Sequence, residues 1–403
     1  MNISTFTAFK SRNYRLYFIG QSISLIGTWM QRTVVSWVIY SLTHSKFMLG
    51  VTLFASLFPS FLFSFIGGVV ADRYNRFKLL LLTQAISMIQ AILLTALVFF
   101  QHYTVWEIIA ISVLLGIVNA FDVPARQSLV YDMITDKENL PNALALNSSM
   151  VNLSRFIGPV VAGVVLEKFG SAVCFGLNAF SFLAVIISLL LMRLGVYQPR
   201  KSNKNVFGDL KEGMSYIRKT PEIAFVLMML ALVSLVVLPF NSIMPAYAKD
   251  IFHGSASTFG MLNSAFGLGA FSGALFLASL KPDTNFRKVL AVNTFVFGAG
   301  LVLFSHTTWY PLALAFAAIS GFGMMSQITI TNTIIQTTVD PSMRGRVISF
   351  YAMAFFGMQP FGGLIVGAVS QSIGVQYTVL AEGIIALLIG GLHVWFIRKH
   401  RKG

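Results

Sequence analysis

Few charged side chains interrupt the apolar runs of this 403-residue chain, and four of them stand out: Arg32, Arg155, Asp122 and Glu382. An ionisable group deep in such a run is expensive, so it is a functional candidate whose partner must be found. Arg32 lies at helical spacing from Gln21, Ser24 and Thr28, and Arg155 from Ser148 and Asn152, so each arginine sits on a polar face. A guanidinium binds carboxylates and similar flat anions through two parallel hydrogen bonds. No clear acid stands at the same depth, which leaves part of the pairing to a bound molecule. Asn241 with Ser234, Gln327 with Ser320 and Thr331, and Gln359 add polar points in later runs. Hydrogen bonding between helices is the competing use of all these groups. Glu382 stands inside the last run, and Asp122 near the end of its own.

Enzyme chemistry finds little here. There is no His-Glu-x-x-His, no Gly-x-Ser-x-Gly and no phosphate loop, and the histidines are scattered. Cys174 is the single cysteine, so neither an intrachain disulfide nor a cysteine metal site is available. No catalytic residue, cofactor or metal is expected.

The elements that must carry these residues are membrane spans. Hydrophobic residues make up 56% of the chain and charged residues 11%, against roughly 25% charged in a soluble domain. Twelve apolar runs have the ~17–25 residues that a bilayer core requires. Of the 29 Lys and Arg residues, 24 fall on one side if the termini are cytoplasmic, and only Lys46, Lys168 and Lys249 on the other. That bias places both termini inside. The basic residues sit in short gaps between spans, which argues against a nucleic-acid partner. One long polar segment divides the spans six and six. In it Leu210, Met214 and Ile217 are spaced for an amphipathic helix lying on the membrane face. The reading is three parts: residues 1–192, a linker 193–221 and residues 222–403. Asp72 and Arg76 have a counterpart in Asp283 and Arg287, and Pro159 in Pro360, as two related halves require.

One gap between spans reads Gly67-Gly68-Val69-Val70-Ala71-Asp72-Arg73-Tyr74-Asn75-Arg76-Phe77-Lys78. It resembles the signature loop between the second and third helices of the Major Facilitator Superfamily. Gly68, Asp72, Arg73 and Arg76 match that pattern, Asn75 replaces its second glycine, and Lys78 stands one place late. Asparagine also tolerates a left-handed turn, so the change is mild. Gly158-Pro159-x-x-Ala162-Gly163 resembles the superfamily's antiporter motif, with Ala162 in place of a glycine. Pro124 to Val130, Asn142 to Asn147, Ser11 to Arg15, Arg344 to Val347 and Gly213 to Pro221 are similar to the subgroup of bacterial siderophore exporters and macrolide efflux proteins.

The resemblance implies an all-α membrane protein of twelve transmembrane helices in two pseudo-symmetric six-helix halves, working by alternating access in the bacterial inner membrane. It implies gating by Gly68, Asp72, Arg73, Arg76, Asp122 and Arg344, with Arg76 holding Asp122. Substrate would meet Arg32, Asn152, Arg155, Asn241, Gln327 and Gln359 on cavity-lining helices. Gly158, Pro159 and Gly163 would serve helix packing, and Glu382 is the coupling candidate. The expected partners are the lipid bilayer, a small molecule and protons, with the chain a monomer. Export of a small amphipathic or anionic molecule, such as a siderophore or drug, is the leading function. Proton-coupled import of a metal chelate or lipid-like solute is the alternative, and a non-transporting sensor or scaffold is the third.

Overall fold

The computed structural model describes residues 3–101, 103–194, 206–281 and 284–400, and every regular element among them is helical. Asp283 and the linker residues Pro199, Arg200, Lys201 and Lys204 lie outside the described residues. After a short 3-10 helix, Ile3–Lys10, come α1 (Arg12–Thr43), α2 (Lys46–Arg73), α3 (Arg76–Phe99), α4 (Val105–Met133) and α5 (Leu140–Leu190). The amphipathic α6 (Val206–Lys219) leads to α7 (Pro221–Leu232), which runs through a π-turn (Val233–Val237) and a 3-10 turn (Leu238–Ile243) into α8 (Met244–Asp250). Then follow α9 (Ala256–Ala278), α10 (Phe286–His306), α11 (Tyr310–Thr338) and α12 (Arg344–Ala352). A second π-turn (Met353–Gly357) joins α12 to α13 (Met358–Ile373), and α14 (Val375–His400) closes the described chain.

Ten helical stretches are long and apolar enough to cross a bilayer. One of them is two helices meeting at Gly170, and the 32-residue α1 is also long enough to span. The twelve expected spans are thus present.

The chain packs as two units, one of residues 1–42 and 55–202, the other of 43–54 and 203–403. In the first, Tyr14, Tyr17, Leu80, Leu129, Met133 and Leu189 form a buried cluster, and the Tyr14 hydroxyl donates to the Ala143 carbonyl at 2.8 Å. Deeper, the Gln31 amide donates to Gln90 Oε1 at 3.0 Å and accepts from Asn178 Nδ2 at 2.7 Å. Buried amides need such partners, and here α1, α3 and the second arm of α5 supply them to one another. In the second unit Phe240, Phe266, Phe297, Phe304 and Tyr247 interlock through ring contacts. Ile217 of α6 is buried with Ile223, Ile335 and Val347, whereas Met214 of the same helix is exposed.

Each unit repeats the other's local chemistry. Gly170 and Gly374 have φ +83° and +88°, a region open to glycine, and each forms a one-residue turn between two helices. His44 and His253 both sit at φ 49° after the first helix of their series. Asn75 and Asn285 cap the starts of α3 and α10, their side chains accepting backbone N–H bonds. A Cβ on Gly67 would collide with the Ala120 carbonyl, and a Cβ on Gly269 with the Ala318 carbonyl.

Candidate functional site

The fold brings Arg32 and Arg155 to one aromatic ring. The Arg32 guanidinium carbon lies 5.1 Å from the Trp29 ring centroid, and that of Arg155 also lies at 5.1 Å. Both are within cation–π range. Arg32 and Trp29 are three residues apart on α1, so they share a helix face. Arg155 arrives from α5 because Gly158, one turn on, lets that helix press against α1: a Cβ there would stand 2.5 Å from Trp29 Cβ and 3.1 Å from the Ile26 carbonyl oxygen. Gly158 and Pro159 are buried, as are Ala162 and Gly163, so this stretch is a packing surface.

No carboxylate among the described residues lies within ion-pair distance of Arg32 or Arg155. The two repel one another, and Arg32 feels Arg126 as well. Arg155 Nε is buried without a hydrogen-bond partner, while Arg32 is exposed. Like charges sharing one indole, with Arg155 Nε unused, have the chemistry to pair with an anion. Asn152 is buried one turn before Arg155, but its amide donates back to the Ser148 carbonyl at 3.0 Å.

The second unit holds the other expected polar points. Asn241 is exposed in the 3-10 turn after α7. Gln327 is buried in α11 with Oε1 unpartnered, and Gln359, just past the second π-turn, donates to the Phe355 carbonyl at 3.1 Å. No hydrogen bond joins these three to one another. Glu382 is buried in α14 with both oxygens unpartnered.

One expectation is corrected. Asp122 does not pair with Arg76. Its Oδ1 accepts from Thr83 Oγ1 at 2.9 Å and Gln84 Nε2 at 2.7 Å, and its Oδ2 faces Arg126 Nε at 3.4 Å. Arg76 instead reaches Asp132 at 3.3 Å and the Ala71 carbonyl at 3.4 Å. The reason is level along the helix. Asp132 stands ten residues beyond Asp122 on α4, ~15 Å further along its axis, beside the start of α3 that carries Arg76. Gly68 has open space around it, and close packing against α4 falls to Gly67. Arg73 ends α2 exposed to solvent, Asp72 precedes it, and Arg344, at the start of α12, donates to the Val339 carbonyl at 3.4 Å.

Trp29 is the residue that sequence reasoning missed. Its signal was the spacing, an aromatic three residues before an arginine on an otherwise polar face. The amide set Gln31, Gln90 and Asn178 was missed because each member sits alone in its own span.

Twelve membrane-spanning helices in two repeated sets, with a basic site free of carboxylate partners in the first, are a transporter architecture. The chain belongs to the Major Facilitator branch described as transmembrane secretion effectors, whose family model matches residues 3–401. It is 26% identical over 388 residues to the staphyloferrin A transporter of Staphylococcus aureus, covering 95% of this chain and 96% of that protein. It is 25% identical over 393 residues to the enterobactin exporter of Salmonella typhimurium, covering 96% and 93%. A solved POT family transporter in complex with 5-aminolevulinic acid superposes with a TM-score of 0.77 at 13% identity, covering 96% of both chains.

Proposed function

We propose that this transporter exports a small anionic molecule, polycarboxylate- or catecholate-like, from the bacterial cytoplasm. It works by alternating access of two six-helix halves, residues 1–192 and 222–403, on either side of the 193–221 linker. The observation that carries this reading is the pair Arg32 and Arg155, both set against Trp29 with no carboxylate partner. Charge favours the direction. In a cell that is negative inside, an anion leaving gains ~2.3 kcal/mol per charge per 100 mV. The two relatives named for siderophores are consistent with such a cargo. Inner-membrane placement, cytoplasmic termini and a monomeric chain belong to the same reading, supported by the 24-to-3 distribution of basic residues outside the spans. Gating would fall to the loop residues Gly68, Asp72, Arg73 and Arg76 and to Asp122 and Arg344.

Binding of citrate, dihydroxybenzoate, erythromycin and ethidium to the purified protein, wild type against Arg155→Lys and Arg155→Ala, tests the reading. The anions should bind the wild type. Arg155→Lys keeps the charge but loses the fork, so it should weaken them clearly, and Arg155→Ala should nearly abolish them. Unchanged affinity in both variants, or tight binding of ethidium alone, would make Arg155 a brace between helices.

A further inference from the structure

Glu382 takes no part in the arginine site and lies wholly within the second unit. Its side chain is 2% exposed, and neither oxygen has a hydrogen-bond partner among the described residues. It belongs to a fully buried row on α14 with Val379, Ala386, Ile389 and His393, the face at i, i+3 and i+4 spacing. Beside it α14 and α10 meet backbone to backbone: a Cβ on Gly383 would be 2.8 Å from Val302 Cγ2 and 3.0 Å from the Gly298 carbonyl oxygen. Elsewhere α14 packs on the π-turn Val233–Val237, an irregularity that costs α-helical hydrogen bonding and recurs at functional sites. A buried acid that served only as glue would hold a donor. This one holds none.

The charged and titratable groups of the neighbouring elements stand at their ends. On α10 these are Arg287, Lys288 and His306; on α7 and α8 they are Glu222, Tyr247, Lys249 and Asp250; α13 has none. Arg287 pairs with Glu222 and Asp250 with Lys46, and no base among the described residues lies within ion-pair distance of Glu382. His393, on the same face, is 4% exposed, with Nε2 unpartnered and its ring edge-on to Phe225 at 5.4 Å. It is eleven residues away, ~16 Å along the helix, too far to share a proton with Glu382 directly.

We propose that Glu382 is a proton site of the transport cycle, built apart from the substrate arginines. In one conformation its carboxylate meets water on the outer side and takes up a proton. In the conformation seen here the group is sealed. In the next it releases the proton inward, so that one proton enters as one substrate leaves. The neutral acid and the carboxylate interconvert by that proton alone, and no other bond changes. A bare charge in this seam would be costly, so the loaded site is the form suited to the sealed state.

The proposal rests on the export reading for its direction, and its test separates the two. Purified wild-type protein is treated with a lipid-soluble carbodiimide, which reacts with protonated carboxyls, and the labelled residue is identified by mass spectrometry. Glu382 should be labelled, and labelling should fall as pH rises. This needs no substrate, so it stands even if no anion is transported. In proteoliposomes loaded with citrate or dihydroxybenzoate, a pH step should drive accumulation by the wild type. One pH unit corresponds to ~1.4 kcal/mol, or about tenfold in accumulation, and Glu382→Gln should lose that factor while downhill exchange of labelled probe continues. His393→Asn should retain it. Labelling independent of pH, uphill transport by Glu382→Gln equal to wild type, loss of exchange together with uphill transport, or accumulation driven by sodium instead of protons would each overturn the proposal. Transport of no anionic probe at all, with pH-dependent labelling intact, would count against the export reading and leave the proton site standing.

Discussion

Arg346 of α12 holds Asp209 of α6 at 2.9 Å and, through the same guanidinium, Glu212 at 3.0 Å. Beside this pair the Tyr216 hydroxyl accepts the Asp340 backbone N–H at 3.2 Å. Gly213 brings the two helices together, since a Cβ there would stand 3.1 Å from Arg346 Cβ and 3.0 Å from the Phe350 ring. The linker helix is therefore fastened to the start of α12. Half-exposed ion pairs contribute ~0.2–1 kcal/mol each, so Arg346→Ala should lower the melting temperature by only about 2–4 °C. It should nevertheless raise hydrogen–deuterium exchange across residues 206–219 sharply. Arg346→Lys should recover part of the protection, because an ammonium cannot span two acids as a fork does. Exchange that stays at the wild-type level in Arg346→Ala would show that Ile217 and its neighbours hold the helix unaided.

The neighbouring glycines of the signature loop should behave oppositely. Gly67→Ala places a methyl into the Ala120 carbonyl and should destabilise the protein by ~1–3 kcal/mol, as overpacking does. Gly68→Ala meets nothing within 4 Å and sits inside α2, where alanine is the better helix former by ~1 kcal/mol. Thermal unfolding in detergent distinguishes them; equal melting temperatures would refute the assignment.

Trp29 should matter to anion binding without touching charge. Removing the indole frees both guanidiniums from their ring, and cation–π contacts contribute ~0.5–2 kcal/mol each. Trp29→Leu should therefore weaken citrate or dihydroxybenzoate binding by about tenfold, and Trp29→Phe should weaken it less. Gly158→Val should reproduce the Trp29→Leu defect from the other helix, with a shift in indole fluorescence as the two helices part. Affinity retained in Trp29→Leu would place the anion on the guanidiniums alone.

The corrected pairing at the end of α4 predicts a null double-mutant cycle. Asp122 is engaged by Thr83, Gln84 and Arg126, and Arg76 by Asp132. Stability losses in Arg76→Ala and Asp122→Asn should therefore add within ~0.5 kcal/mol. Arg76→Ala with Asp132→Asn should fall short of additivity. A coupling between Arg76 and Asp122 would mean that the two meet in another state of the cycle.

The spans, their pairing into two sets and the linker helix were legible because each rests on a long-range average of hydropathy or on helical spacing. The arginines were legible as costly charges. What could not be read was who meets whom. Arg76 has Asp122 and Asp132 on one helix, and only the relative height of α3 and α4 decides between them. Gly67 and Gly68 are neighbours of one type, and helix rotation gives one the contact and the other open space. The π-turns at Val233–Val237 and Met353–Gly357 lie in apolar sequence with no local mark, since one extra residue per turn is set by packing. Trp29 looked like any aromatic in a span until α5 brought Arg155 to it.

Gly170 and Gly374 carry a consequence for how the protein is made. Each leaves no connecting chain between the helices it joins, so neither second helix can be held back while the first settles in the bilayer. The two therefore enter as one hairpin, with the turn as its closed end. Reporter tags or protease sites inserted at these positions would break the hairpin before they reported its orientation, and a split gene would need its cut at another connection.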